Sequence, residues 1–267
     1  MAALHPAALP RPLHERLRPE PSAKPTGHGL PSVRAGKFVL YILRTAFREA
    51  ENPALETALH MASALGLPLV CVAVIEDAIP PNVRGACAPT DRKAAFKLEA
   101  LRELQPGFAA RGTVCWVQVQ RDGSRAAVTL SLASKAALVL TDEHFGVEPH
   151  AAAAAAVART GAPVWLCDAA CTVPSHLLGS KALVGGNAAF LRATSSMRAE
   201  RLAAGWMPPP AAKPTQPPPA PPEWSVDLSR DGAIEEVLSA PSRRDTAVCG
   251  AVSSTHRVCN TPTANAR

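Results

Sequence analysis

Acidic residues and histidines cluster in one short stretch after an apolar run. The stretch reads TDEHFGVEPH (141–150), and its ionisable residues are Asp142, Glu143, His144, Glu148 and His150. Paired carboxylates beside histidines can carry acid–base chemistry or hold a metal ion. Acidic residues also favour helix N-termini, where they interact with the helix dipole. We prefer the second interpretation, so an enzyme built on these side chains is the least favoured hypothesis.

A second charged stretch, LRTAFREAENPAL (43–55), follows another apolar run. The glycine-rich loops that bind dinucleotides or the phosphates of ATP are absent here. Arg44 and Arg48 stand in their place and could hold an anion, as could the backbone amides at a helix start. Asn52 followed by Pro53 is typical of an N-cap and a first helical position. The chain has no GxSxG elbow, so a Ser–His–Asp triad is not predicted.

Five apolar runs, at 38–43, 68–75, 113–120, 137–142 and 163–168, alternate with helical patterns at 53–65, 90–111, 124–136 and 149–160. This alternation predicts a parallel sheet with helices on both faces. We therefore expect an α/β fold, a Rossmann-like doubly wound five-stranded parallel sheet of order 3-2-1-4-5, with disordered tails. The third strand should lie at an edge, and Pro106 should kink or split its helix.

The predicted strand order determines which loops meet. In open α/β sheets, ligands bind at the carboxyl ends of the strands, at the point where the strand order reverses. For order 3-2-1-4-5 this point lies between strands one and four. The two charged loops, 43–52 and 141–149, should therefore lie side by side.

Proline-rich segments flank the predicted domain. Residues 1–36 hold seven prolines, and few acids. We interpret 1–37 as a disordered arm or a transit peptide. Residues 207–222, MPPPAAKPTQPPPAPP, predict a polyproline-type linker. Its PxxP pattern can bind aromatic grooves, although a plain spacer is the preferred interpretation.

The positive charge lies outside the predicted domain. The net charge is +4 over 1–37, −1 over 38–180 and +3 over 181–267. A nucleic-acid-binding module is expected to carry basic residues on its folded surface. We therefore expect no direct DNA binding from the near-neutral core. No apolar run is long enough to span a bilayer.

Three of the seven cysteines, Cys71, Cys115 and Cys167, lie inside apolar runs. This placement predicts buried free thiols in a reducing compartment. The chain has no CxxC pair, so a zinc site is not expected.

Several motifs together resemble the N-terminal α/β domain of the photolyase/cryptochrome family. The turn at 44–55 resembles the family's arginine-rich turn and its Asp-Asn-Pro-Ala-Leu, although Thr45 and Ala46 depart from the usual Arg-Asp. The stretches FKLEALREL (96–104), ALVLTDEHFGVEPH (137–150) and DAACTVP (168–174) resemble a family helix, the fourth strand with its Glu-Pro loop, and the exit from the fifth strand. The likeness covers roughly 38–178.

The resemblance implies a domain plan. Residues 38–178 would be the photolyase/cryptochrome α/β domain, and 179–206 a helical extension. The tail, 223–267, would be mostly disordered and similar to the segment that precedes the FAD domain. Only 45 residues follow the proline-rich linker, too few for an FAD domain. We therefore expect no FAD in this chain, and a truncated or stand-alone product without photolyase catalysis of its own.

The resemblance also implies a ligand and a site. The family's α/β domain often holds an antenna chromophore, a folate or a deazaflavin, and the positions of this chain that match are Arg48, Asn52, Asp142, Glu143 and Glu148. The implied partner is a flavin-domain protein in blue-light DNA repair or signalling. The alternative is a stand-alone nucleotide-binding module or a partner-binding accessory protein. The missing glycine-rich loop speaks against nucleotide binding.

Overall fold

Six strands form one mixed sheet in the computed structural model, which describes residues 9–21, 29–76, 90–120, 128–143, 148–178, 186–204 and 211–239. The strands are β1 (Leu17–Pro19), β2 (Phe38–Leu43), β3 (Leu69–Ile75), β4 (Val114–Val119), β5 (Ala136–Asp142) and β6 (Val164–Cys167). Their order is β1-β6-β5-β2-β3-β4. The last five pair in parallel, in the predicted relative order, with β4 at the edge. The prediction of a purely parallel five-stranded sheet is wrong, because β1 adds an antiparallel strand beside β6.

Helices cover both faces of the sheet, as a doubly wound fold requires. They are α1 (Arg11–His14), α2 (Pro53–Leu65), α3 (Asp91–Ala110), α4 (Val128–Lys135), α5 (Glu148–Ala158), α6 (Gly186–Ala204) and α7 (Ala233–Ser239). Successive side chains of a strand point to opposite faces. Accordingly, Val39 and Tyr41 pack in the core under α2, α3 and α7. Leu40 and Ile42 pack in the second core, under α4 and α5.

The local helix signals in the sequence act as expected. Asn52 caps α2 by accepting from the backbone N–H groups of Ala54 and Leu55, and Gly66 ends it in the left-handed region at φ 63°. Helix α3 begins after Thr90 and continues as one helix through Pro106. Of the two predicted outcomes, a kink or a split, the split is therefore wrong. Buried Leu104 and Phe108 lie on either side of Pro106, and their packing holds both halves in place.

The N-terminal arm is part of the fold. Leu9, Leu13 and Leu17 are buried at a spacing of four residues, which holds α1 and β1 against the sheet. The side chain of Arg16, also buried, donates to the carbonyls of Asp168 and Cys171 at 3.0 and 2.7 Å. The prediction of a disordered arm over 1–37 is therefore corrected for 9–21, where buried leucines outweigh the proline content. It is also corrected for 29–37, where the Arg34 guanidinium donates to the carbonyls of Ala136 and Ala133 at 2.9 and 2.7 Å.

The proline-rich segment is also attached to the domain. We call residues 211–226 the strap. The backbone N–H of Ala211 donates to Glu56 Oε2 at 3.1 Å, and that of Val226 donates to the Val117 carbonyl at 2.8 Å. Trp224 packs edge-on against Trp116, with ring centroids 5.8 Å apart. Over 211–222 the predicted linker thus runs along the domain, beside the edge strand β4.

The predicted C-terminal tail contributes a helix. In α7, which follows the strap, Ile234 and Val237 are buried in the core that also holds α3. The expectation of a mostly disordered tail over 223–267 is thus corrected for 223–239, whereas residues 240–267 lie outside the described ranges. Within the segment predicted as a helical extension, residues 186–204 form α6. Among the described residues, no helix is both long and apolar enough to cross a bilayer.

Buried thiols are expected to lower the stability of the fold at high pH. Cys71, Cys115 and Cys167 are buried free thiols, as predicted. Burial raises the pKa of Cys115 from its ordinary value of 9.0 to about 12, and raises those of Cys71 and Cys167 well above it. Folding therefore favours the neutral thiols. The stabilisation is complete below about pH 9, where unfolded thiols are also neutral, and is lost as pH rises toward the folded pKa values.

We expect the free energy of unfolding to fall between pH 9 and 10.5 by up to about 1.4 kcal/mol per pH unit for each buried thiol. Urea unfolding at several pH values measures this slope. In Cys115→Ala the free energy of unfolding should fall less steeply with pH, by the contribution of one thiol. This comparison of slopes does not depend on how stable the variant is at neutral pH. A slope identical to that of the unmodified chain would contradict the assignment.

Candidate functional site

One carboxylate holds the turn that follows β2. Asp142, the last residue of β5, accepts at Oδ2 from the backbone N–H groups of Arg44, Thr45 and Ala46, at 2.9, 2.7 and 3.0 Å. Its Oδ1 accepts from the Tyr41 hydroxyl at 2.6 Å. Successive backbone N–H groups of this kind form an anion-binding concavity. In this chain the anion is its own Asp142, so the two loops meet as predicted but bind each other.

Asn52 closes the same turn from the other side. Its Nδ2 donates to the carbonyls of Ala46 and Arg48 at 3.1 and 3.0 Å, while its Oδ1 caps α2. Asn52 is fully buried. Burial raises the pKa of Tyr41 well above its ordinary value, and the nearby Asp142 carboxylate raises it further. The described contacts of Asn52 are therefore those of a structural residue.

The two arginines of the turn differ in their surroundings. Arg48 is exposed, and its guanidinium donates to the Ala169 carbonyl at 2.6 Å, which ties the turn to the segment after β6. The side chain of Arg44 is buried, and its Nη1 lies 3.9 Å from a Glu76 carboxylate oxygen. Desolvation lowers the pKa of Arg44. Neither guanidinium lines the cavity at the carboxyl end of β5.

A cavity of about 510 Å³ lies at the carboxyl end of β5, between β1 and α5. Sites for small molecules and cofactors commonly have volumes of 300–1,000 Å³, roughly, with apolar walls and few polar groups. Here the walls are alanines of α5 together with Pro21 and Leu166. Two polar groups, Arg18 and Glu20, come from the N-terminal arm. The other three, Asp142, Glu143 and His150, come from the end of β5 and the start of α5.

Glu143 is a buried polar residue of this cavity. Its side chain is 6% exposed, and its Oε1 pairs with Arg18 Nη2 at 2.5 Å. Its backbone N–H donates to the Cys167 carbonyl at 2.7 Å, which fixes the residue beside β6. Its Oε2 is buried and accepts no hydrogen bond from any residue in the described ranges. A buried acceptor without a donor is costly, so a ligand that supplies an N–H group would be stabilised here.

The structure separates the five predicted site residues. Asp142 and Glu143 line the cavity, whereas Arg48 and Asn52 bind backbone groups of the turn. Glu148 begins α5, but its side chain lies outside the described part of the chain. Residues 144–147, which include His144, lie outside it too.

The sequence does not point to Arg18 and Glu20, because the proline content of the arm that carries them predicts disorder. The spacing of Leu9, Leu13 and Leu17 is the signal for order in this arm. His150 is among the ionisable residues of its loop but not among the predicted site residues. It lies in the first turn of α5 and lines the cavity.

Most of the sheet lies within a region that matches a known protein family. The family model described as DNA photolyase matches residues 39–193, which is more than half of the 267-residue chain. The chain belongs to the DNA photolyase family. The predicted family is thereby confirmed. A search of the curated proteins found no match.

The DNA photolyase match spans the whole parallel part of the sheet. It begins at the second residue of β2 and ends within α6, so it includes both loops that Asp142 joins. Arg18 and Glu20 precede the matched region. The cavity is thus formed partly by the family domain and partly by an arm that the family model does not cover.

Proposed function

We propose that this chain is a chromophore-binding α/β domain of the photolyase/cryptochrome type. Its cavity would hold a flat antenna chromophore, a folate or a deazaflavin. When bound, such a group absorbs near-ultraviolet or blue light and passes the excitation energy on. The acceptor would be a flavin-domain protein that acts in blue-light DNA repair or signalling.

The observation that carries this proposal is Glu143, which lines the cavity and whose Oε2 accepts no hydrogen bond from the described residues. Folates and deazaflavins share a pyrimidine-type ring edge with adjacent N–H and C=O groups. Glu143 can accept from such an N–H, and Arg18, paired with it at 2.5 Å, can donate to a neighbouring carbonyl. The alanine walls leave room for flat rings. Glu143 and Arg18 are therefore the residues that would orient the chromophore.

Asp142 has a different task in this proposal. Its oxygens are engaged by Tyr41 and by the backbone of the turn, so it shapes the floor of the cavity through its position. The same contacts speak against the nucleotide-binding alternative. A phosphate group would need the amides of residues 44–46, and the carboxylate of Asp142 already occupies them.

The test is a titration of the purified full chain with methenyltetrahydrofolate and with a hydroxy-deazaflavin, followed by the absorption and fluorescence of each chromophore. We expect saturable binding of one chromophore per chain. Glu143→Gln should weaken the binding at least about tenfold, since a charged acceptor and its pair with Arg18 are lost. Circular dichroism checks that the variant is folded.

Glu15→Gln is the matched control. Glu15 also pairs with arginines, Arg11 and Arg201, at 2.5 and 2.7 Å, but it does not line the cavity. The Glu15→Gln variant should bind the chromophore with the same affinity as the unmodified chain. The proposal is wrong if neither chromophore binds, or if Glu143→Gln binds as tightly as Glu15→Gln.

A further inference from the structure

The side chains that line the cavity carry an excess of negative charge. Three carboxylates line it, those of Glu20, Asp142 and Glu143, together with the guanidinium of one arginine, Arg18. With His150 neutral, these one positive and three negative charges give a sum of −2. The first turn of α5 adds the positive end of a helix dipole, which amounts to about half an elementary charge. The negative charges therefore outweigh the positive ones.

Contacts within the chain fix these carboxylates in place. Asp142 accepts from the turn that follows β2, and Glu143 Oε1 accepts from Arg18 Nε at 2.6 Å. The other oxygen of Glu143 accepts no hydrogen bond from the described residues. Glu20 is 5% exposed, and its backbone N–H donates to the Val164 carbonyl at 3.3 Å, which holds the residue beside β6. The guanidinium is thus engaged with Glu143, and the three carboxylates exceed it in charge.

The walls of the cavity strengthen the effect of this charge. They consist of alanines of α5 with Pro21 and Leu166, which are apolar. Charges interact more strongly beside apolar protein than in bulk water. Keeping several carboxylates at a poorly hydrated wall is costly. A cationic ligand would offset part of this cost, whereas an anionic ligand would increase it.

We propose that the cavity selects its ligand by charge, with a preference for flat aromatic cations over anions, and that Glu20 is a specificity-determining residue. This inference rests on the proposed function, because it concerns the same cavity. Glu20 belongs to the arm and precedes the matched region at 39–193. The preference would therefore be a property of this chain rather than of the family domain.

The two candidate chromophores differ in the charge of their ring systems. A methenyl-bridged folate carries a delocalised positive charge on the bridge between two nitrogens of its fused rings. A hydroxy-deazaflavin loses its phenol-type proton readily and then carries a negative charge. The cavity should accept the first and disfavour the second. The carboxylates of the folate's glutamate tail would lie outside the cavity.

The experiment titrates the purified full chain with three ligands by calorimetry. They are methenyltetrahydrofolate, 5-formyltetrahydrofolate, which keeps the pterin ring and the tail but lacks the cationic bridge, and a hydroxy-deazaflavin. We expect methenyltetrahydrofolate to bind at least about tenfold more tightly than either of the others. In Glu20→Gln the ratio of methenyl to formyl affinity should fall severalfold, since one negative charge is removed from the wall.

Glu15→Gln is the matched control, because it removes a carboxylate from the same arm but outside the cavity. It should keep the full ratio of affinities. Because the readout is a ratio, a variant that binds both folates more weakly still reports on charge selection. Equal affinities for the two folates, tighter binding of the deazaflavin, or an unchanged ratio in Glu20→Gln would overturn this inference and leave the proposed function standing. Binding of none of the three ligands would overturn both.

Discussion

Asp142→Ala is expected to lower the free energy of unfolding by about 4 kcal/mol, a large effect for one side chain. The backbone N–H groups of Arg44, Thr45 and Ala46 and the Tyr41 hydroxyl all lose their acceptor. Two of these donors are in part-buried positions and two are buried, so water replaces the carboxylate poorly. Urea unfolding followed by far-ultraviolet circular dichroism measures the change.

Asp227→Ala is the control for this prediction. Asp227 also accepts from a backbone N–H and a hydroxyl, both of Ser229, at 2.9 and 2.6 Å, but on the exposed surface. Its replacement should cost less than about 1 kcal/mol, because water takes over both hydrogen bonds. Asp142→Asn keeps a carbonyl oxygen for the three amides. Its loss of unfolding free energy should therefore lie between those of Asp142→Ala and Asp227→Ala. Equal losses at Asp142 and Asp227 would refute the role of Asp142 in holding the turn.

Arg16→Met should be the second most damaging substitution, with an expected loss of about 3 kcal/mol. The buried guanidinium of Arg16 donates to three carbonyls, those of Asp168, Cys171 and Thr172, at 3.0, 2.7 and 3.3 Å. Methionine fills much of the volume but leaves the carbonyls without these donors. The arm should then open locally, since these bonds hold it to the segment after β6.

Two measurements address this second prediction. Urea unfolding gives the loss of stability, and amide hydrogen exchange should show lost protection at Leu17–Pro19 before the rest of the sheet. Arg11→Met is the control on the same arm. Its side chain is 81% exposed and pairs with Glu15, so its removal should leave the free energy of unfolding nearly unchanged. If Arg16→Met has the same unfolding free energy and the same amide protection as Arg11→Met, the attachment of the arm does not depend on the buried guanidinium.

The sequence revealed those features whose causes are local. Runs such as FVLYIL at 38–43 predicted buried strands, and Asn52, Pro53 and Gly66 predicted the ends of α2, because capping involves near neighbours in the chain. The relative order of the five parallel strands and the meeting of the two loops were also predicted correctly. The family resemblance supplied the domain's identity.

The remaining features depend on contacts between distant residues. Asp142 is a predicted ligand-binding residue, but its partners are the Tyr41 hydroxyl and backbone groups nearly one hundred positions away, and no pattern in the sequence marks them. The sequence favours a spacer over 207–222, because proline content does not reveal a surface that can hold the segment. Arg18 reaches Glu143 only because β1 pairs with β6. Such pairings cannot be inferred from local propensity.

The two edges of the sheet are completed by the N-terminal arm, beside β6, and by the strap, beside β4. Both segments are distant in sequence from the strands that they contact, so they dock late in folding. Leu17 pairs with Cys167, and Val226 bonds to Val117. Contacts of such high sequence separation form slowly, because a long loop must close first. During synthesis the arm emerges first, yet its strand has no partner until β6 has left the ribosome. The leucines of the arm, which are buried in the folded protein, therefore stay exposed until β6 has been synthesised, and we expect chaperones to bind the nascent chain there.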